Sequence, residues 1–174
     1  MELTVIQTYR LARDAHAGQA DKIGVPYIEH VEAVAEGLAP FGKDLERAGL
    51  LHDIIEDTDW TAEALVKAGV PEHVVRIVEA VTNQPGVPYE EKIRRITKQR
   101  SAALVKVADN AHNSRPDRAA QLPEDKRQRL AEKYSKAREL LWPAVGQLDV
   151  EMIVSIVNPA LKRELADNVR TFWP

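Results

Sequence analysis

Proline and glycine punctuate this chain and divide it into short segments, of which only the one after Pro123 is long: Gly18, Pro26, Pro40 with Gly42, Gly69, Pro71, Pro85 to Pro88, Pro116, Pro123 and Pro159. Between these breakers apolar residues repeat every three to four positions, the period of a helix with one buried face. Residues 3 to 17 set Leu3, Ile6, Leu11 and Ala15 near one stripe with Arg10, Arg13 and Asp14 off it. Pro26 suits a first helical turn, after which Ile28, Val31, Val34, Ala35 and Leu38 recur. Further helices are predicted from Asp44 to Ile55, from a cap at Asp59 or Thr61 to Gly69, and from Pro71 to Val81. Others follow from Tyr89 to Lys98, over 102–113, and from Pro123 to Leu141, and Asn158 with Pro159 splits the last stretch in two. Strand-type alternation never exceeds four or five residues. The expectation is all-α, a compact multi-helix bundle forming one domain over 1–174, with 142–174 as a C-terminal helical extension.

At 174 residues the chain can bury a full core without staples. It has no cysteine, which excludes a disulfide framework, a thiolate zinc site and a thiol nucleophile; any metal must be held by nitrogen and oxygen. The net charge of −3 and scarce aromatics speak against a nucleic-acid surface. No apolar run nears the roughly 18 residues that cross a bilayer, and the N-terminus lacks a signal-peptide stretch. The expectations are therefore a cytoplasmic protein with no nucleic-acid or membrane partner, and homo-oligomerisation is left open.

Chemistry concentrates in three segments. In GLLHDIIEDTD, residues 49 to 59, His52, Asp53, Glu56 and Asp57 would share one polar arc of a continuous helix, and Asp53 stacks on Asp57. Stacked acids repel unless a positive charge lies over them, although a solvated polar face explains the pattern equally well in isolation. His30, in YIEHV, sits in an otherwise apolar helix, where a satisfied core histidine is the ordinary reading. Asp109, in ALVKVADNAHN, is a carboxylate in a helix too apolar to carry it unpartnered. A cation shared by His30, His52, Asp53 and Asp109 relieves all of these costs together. Two imidazoles and two carboxylates suit a first-row divalent ion such as manganese, iron or zinc.

The ordered set AHAGQ at 15–19, GVPYIEH at 24–30, LLHDIIEDTD at 50–59 and VKVADNAHNSR at 105–115 resembles the HD-domain phosphohydrolases. Within them it is most similar to the hydrolase domain of the Rel/SpoT-type alarmone enzymes and to the small alarmone hydrolases, up to about residue 141. A bare His-Asp dipeptide carries little; the ordered set with these flanks is specific. The resemblance implies a helical HD bundle, His30, His52, Asp53 and Asp109 as metal ligands, and manganese as the usual ion. It further implies Glu56 and Asp57 as the catalytic acid pair of a guanosine 3′,5′-bis(diphosphate) 3′-pyrophosphohydrolase. The synthetase half of long Rel enzymes has no counterpart here, so degradation alone is expected.

For the substrate, Lys22, Lys106 and Arg115 are candidate phosphate contacts, and Asn113 can donate an amide hydrogen bond to ribose or phosphate. A salt bridge is the alternative for Lys106 and a helix cap for Asn113. Two positions depart from the family pattern: Asp21 stands where an arginine precedes the lysine of the nucleotide-holding pair, and Asn110 where a cation is common. Both are expected to weaken a polyphosphorylated ligand, which keeps open an HD phosphohydrolase of another nucleotide or phosphate ester. A helical binding protein without turnover is the third reading. The basic run Lys92, Arg94, Arg95, Lys98 and Arg100 is taken as a solvated face, His16 as a group behind the ligands, and His73 as surface. His112 receives no role.

Overall fold

A computed structural model describes residues 2–174 and contains, among them, helices and no strand; one isolated bridge joins Ala20 and Pro26. The helices are α1 (Val5–Ala15), α2 (Tyr27–Leu38), α3 (Lys43–Leu51), α4 (Ile54–Asp57), α5 (Ala62–Ala68) and α6 (Glu72–Val81). They continue with α7 (Tyr89–Ile96), α8 (Arg100–Asn113), α9 (Pro116–Ala119), α10 (Glu124–Leu141), α11 (Gln147–Val157) and α12 (Lys162–Phe172). The all-α expectation holds. Thr4 caps α1 through a reciprocal bond with Gln7, and Thr61 caps α5.

Helix α2 runs through the middle, packed on α3, α8 and α11, while α8 also meets α6 and α10. Two glycines permit this. A Cβ on Gly49 would lie 2.9 Å from the Cα of Ala35, and one on Gly37 would collide with Val157 of α11. Helix α8 is apolar around most of its circumference, with Ala102 to Val105 and Val107 to His112 buried, as befits a helix enclosed on all sides. The stretch after Trp142 packs on the same core: Val150, Ile153, Val154 and Val157 of α11 join Val31, Val34 and Leu104. Buried Arg138 ties α10 to α12 with two 2.7 Å bonds to Glu164. No helix among the described residues is long and apolar enough to cross a membrane.

One predicted helix is corrected. The run from Asp44 to Ile55 breaks: α3 ends at Leu51, and Asp53 takes φ −109°, ψ 0°, before α4 restarts at Ile54. The cause is local. His52 Nδ1 bonds the Gly49 carbonyl at 2.8 Å, taking an acceptor from the last turn of α3 and turning the chain. The polar arc of a continuous helix therefore does not exist; His52 and Asp53 occupy a corner.

Candidate metal and catalytic site

Three elements meet below one cavity. His30 comes from the first turn of α2, His52 and Asp53 from the α3–α4 corner, and Asp109 from α8. Ligating atoms of His30, His52 and Asp109 lie within 4.8 Å of one another, all three residues buried. His30 Nε2 is 3.2 Å from His52 Nε2, 3.3 Å from Asp109 Oδ1 and 3.6 Å from Asp53 Oδ2; His52 Nε2 is 2.8 Å from Asp53 Oδ2. The structure thus brings together all four residues read from the sequence as metal ligands, with Asp53 at the edge of the group, where Tyr27 donates its hydroxyl to Oδ2 at 2.6 Å.

The electrostatics fit a cation. Burial alone would raise the Asp109 carboxyl, but Lys106 and His30 outweigh it and hold Asp109 ionised far below the usual range. Asp53 is likewise held well below its ordinary value against burial, by His52 and His30. Burial pushes His30 down, yet the Asp109 and Asp53 carboxylates more than offset this and lift it to about 9. A buried and a partly buried carboxylate, Asp109 and Asp53, thus retain a proton on an imidazole as counter-charge, a place a divalent ion can fill. His52 is pre-arranged: a carbonyl can only accept, so the bond to Gly49 fixes a proton on Nδ1 and makes Nε2, which faces the cluster, the nitrogen able to ligate an ion.

Above the cluster opens a cavity of about 640 Å³. Its acids are Asp21, Asp53, Glu56, Asp57 and Asp109; its cations are Lys22, Lys92, Lys106, Lys133 and Arg118. Tyr27, Tyr89 and Tyr134 add aromatic surface, and Lys133 Nζ sits 4.1 Å over the Tyr89 ring. Glu56 accepts the Asn83 backbone N–H at 3.0 Å and its side-chain amide, while Lys92 donates to the Asn83 oxygen and stands 3.9 Å from Glu56. Burial, and then the negative charge of Asp53, raise the Asp57 carboxyl above its ordinary value. The end of α4 is strapped down from behind: Gln19 donates to the Asp57 carbonyl at 2.8 Å and contacts His16 Nδ1 at 2.8 Å, and the His16 ring lies beside Tyr27.

Several sequence expectations change. Arg115 does not line the cavity; its guanidinium is tied to Asp117 at 2.8 and 3.0 Å, and Arg118, on the far side of the single turn of α9, lines it instead. Lys106 donates to Asp109, as the salt-bridge alternative has it, and also lines the cavity. Asn113 donates to Asp109 Oδ1 and does not cap α8, whose cap is Ser114. Lys92 is not on a solvated face: it is buried with Ile93 and Ile96, while Arg94 and Arg95 pair outward with Glu90 and Glu91. Asp21 presents no free charge, since its carboxylate accepts the N–H groups of Ile23 and Val25 and pairs with Arg118 at 2.8 Å. Asn110 is buried against Tyr134 and Arg138, outside the cavity lining. His73 is at the surface as expected, paired with Asp44.

Sequence reasoning passed over Tyr27, Asn83, Arg118 and Lys133. Tyr27 carried a signal, lying one helical turn before His30. Asn83, in the loop after α6, carried none.

Comparison with known proteins agrees with the geometry. Residues 8–156 match the family model of the HD domain. The chain is 35% identical to the guanosine-3′,5′-bis(diphosphate) 3′-pyrophosphohydrolase of Haemophilus influenzae over 156 residues, 82% of this chain and 22% of that protein. It is 36% identical to the bifunctional (p)ppGpp synthase/hydrolase SpoT of Escherichia coli over 160 residues, 84% of this chain and 22% of that one. The chain thus spans about a fifth of the length of these relatives. Among solved structures, one described as a metazoan ortholog of SpoT that hydrolyses ppGpp has the same fold, with a TM-score of 0.71 at 23% identity over 92% of this chain and 96% of that one. The chain belongs to the HD domain family, which implies a divalent metal ion, and His30, His52 and Asp109 form the candidate site for it.

Proposed function

We propose that this chain is a metal-dependent phosphohydrolase that removes the 3′-pyrophosphate from guanosine 3′,5′-bis(diphosphate). The observation that carries this reading is one cavity holding both an acid-histidine cluster built for a cation and a set of lysines able to receive phosphates. His30, His52, Asp53 and Asp109 hold the ion in this reading, and their two nitrogens and two carboxylates suit manganese, with iron or zinc as alternatives. When bound, such an ion supplies Lewis-acid polarisation of a phosphoryl oxygen and acidifies water.

The remaining work falls to the chain itself. Asp57, raised above its ordinary value by burial and the Asp53 charge, and Glu56, held by Asn83, accept the proton of the attacking water. The same proton goes to the ribose 3′ oxygen as its bond to phosphorus breaks, giving the 5′-diphosphate and pyrophosphate. Lys22, Lys92, Lys106 and Lys133 offset the phosphate charge, Asn113 orients the ribose end, and the tyrosines offer surface to the base. The reading takes residues 1–174 as one catalytic unit in the cytoplasm, with 142–174 as its packed extension. The feature that favoured a different phosphate ester, an acid at Asp21, loses force because Arg118 neutralises it.

The test is a manganese-supplemented assay against guanosine 3′,5′-bis(diphosphate), guanosine mononucleotides and a generic aryl phosphate. Release of pyrophosphate from the first, abolished by chelation and by Asp53→Ala, is expected. Turnover confined to the aryl phosphate or a mononucleotide would contradict the substrate, and full turnover by Asp53→Ala the site.

A further inference from the structure

One buried imidazole has no part in the reading above. His112 lies on α8 one turn past Asp109, and its ring is packed against His30 with centroids 4.8 Å apart. The two Nδ1 atoms are separated by 2.7 Å, a full hydrogen bond between residues 82 positions apart in the chain. We infer that His112 is a positioning residue for the metal site: its Nδ1 accepts a hydrogen bond from His30 Nδ1–H, which keeps the proton there and the His30 Nε2 lone pair free for an ion. This inference rests on the proposed metal site.

Two imidazole nitrogens at this distance cannot both donate or both accept. If His112 donated, a neutral His30 would carry its proton on Nε2, the atom that faces His52, Asp53 and Asp109, and no lone pair would remain there. If His112 accepts, Nε2 is free. His52 needs no such help, because the Gly49 carbonyl that holds its Nδ1 can only accept. His30 is therefore the one histidine of the pair whose tautomer depends on a side chain, and that side chain is held in place by burial. Partners behind a metal-bound histidine typically govern metal affinity by about 10- to 100-fold.

The experiment is calorimetric titration of Mn²⁺ into the metal-stripped full chain. In His112→Leu the Mn²⁺ dissociation constant should rise about 10- to 100-fold. His112→Asn, whose carbonyl oxygen sits as far from Cβ as Nδ1 does, should recover most of that loss. The thermal midpoints of the metal-free proteins report folding, and nitrogen-15 NMR of the wild-type imidazoles in the Zn²⁺ form, with the proton expected on His30 Nδ1, serves even if a variant does not fold. Unchanged affinity in the leucine variant, equal weakness of both variants, or a proton on His30 Nε2 overturns the inference while leaving the metal site intact. A wild type that binds no Mn²⁺ overturns the metal site itself, and this inference with it.

Discussion

Replacing Lys106 by methionine separates two kinds of positive charge at the site. The Lys106 ammonium donates to Asp109, and the two side chains are 12% and 7% exposed, so this is a buried pair. Removing one partner of such a pair costs about 3–5 kcal/mol because the other charge is left uncompensated. Here His30, protonated at neutral pH with its pKa at about 9, stays 3.3 Å from Asp109, which places the loss at the low end, about 3 kcal/mol. For a chain of this size each kcal/mol moves the thermal midpoint by about 2–4 °C, so the metal-free variant should melt about 6–12 °C below wild type. A divalent ion restores the counter-charge. Thermal unfolding followed by circular dichroism at pH 7, with chelator and with saturating Mn²⁺, should therefore show a deficit at least halved by the metal. An identical deficit in both conditions would refute the idea that Asp109 faces a bound cation, and no deficit without metal would refute the cost assigned to the pair.

Three more outcomes follow from the same geometry. Glu56→Gln and Asp57→Asn should each lower kcat about 10²- to 10⁴-fold while leaving Mn²⁺ affinity within about twofold, since both acids move protons without ligating; steady-state kinetics with calorimetry checks this. Lys92, pushed down to about 8 by burial and the neighbouring Lys106 charge, is an ammonium below that pH and neutral above it. Its pull on phosphate is present at pH 7 and lost as the pH rises through about 8, so KM should climb there in a pH profile, and Lys92→Arg should move the climb well above pH 10. Arg118→Gln should raise KM while Arg115→Gln leaves it unchanged, because only the former side chain reaches the cavity.

Local periodicity made the helices legible, because caps and breakers such as Thr61, Gly69 and Asn158 act within a few residues of themselves. The convergence of His30, His52, Asp53 and Asp109 was legible too: an acid in an apolar helix and a histidine on an apolar face are each costly alone, and a common partner relieves both. What escaped depended on contacts across the chain or on a single bond. The corner at His52 arises from one bond to the Gly49 carbonyl, which helical spacing does not encode. Which arginine after Asn113 turns inward is set by the one turn of α9, and Arg115 spends its guanidinium on Asp117 two residues on. Asp21 read as a charge reversal because its partner, Arg118, is nearly a hundred positions away. Lys92 was within reach, standing four residues before Ile96 on the stripe that buries α7.

The claim on which the account turns is that His30, His52, Asp53 and Asp109 hold a divalent ion. Pulsed electron paramagnetic resonance of the Mn²⁺-loaded protein, with histidine labelled in nitrogen-15, reads the ligands directly. One bound ion per chain, coupled to two imidazole nitrogens, is expected, with one coupling lost in His30→Ala. An ion with no nitrogen coupling, or a spectrum unchanged by that substitution, would contradict it.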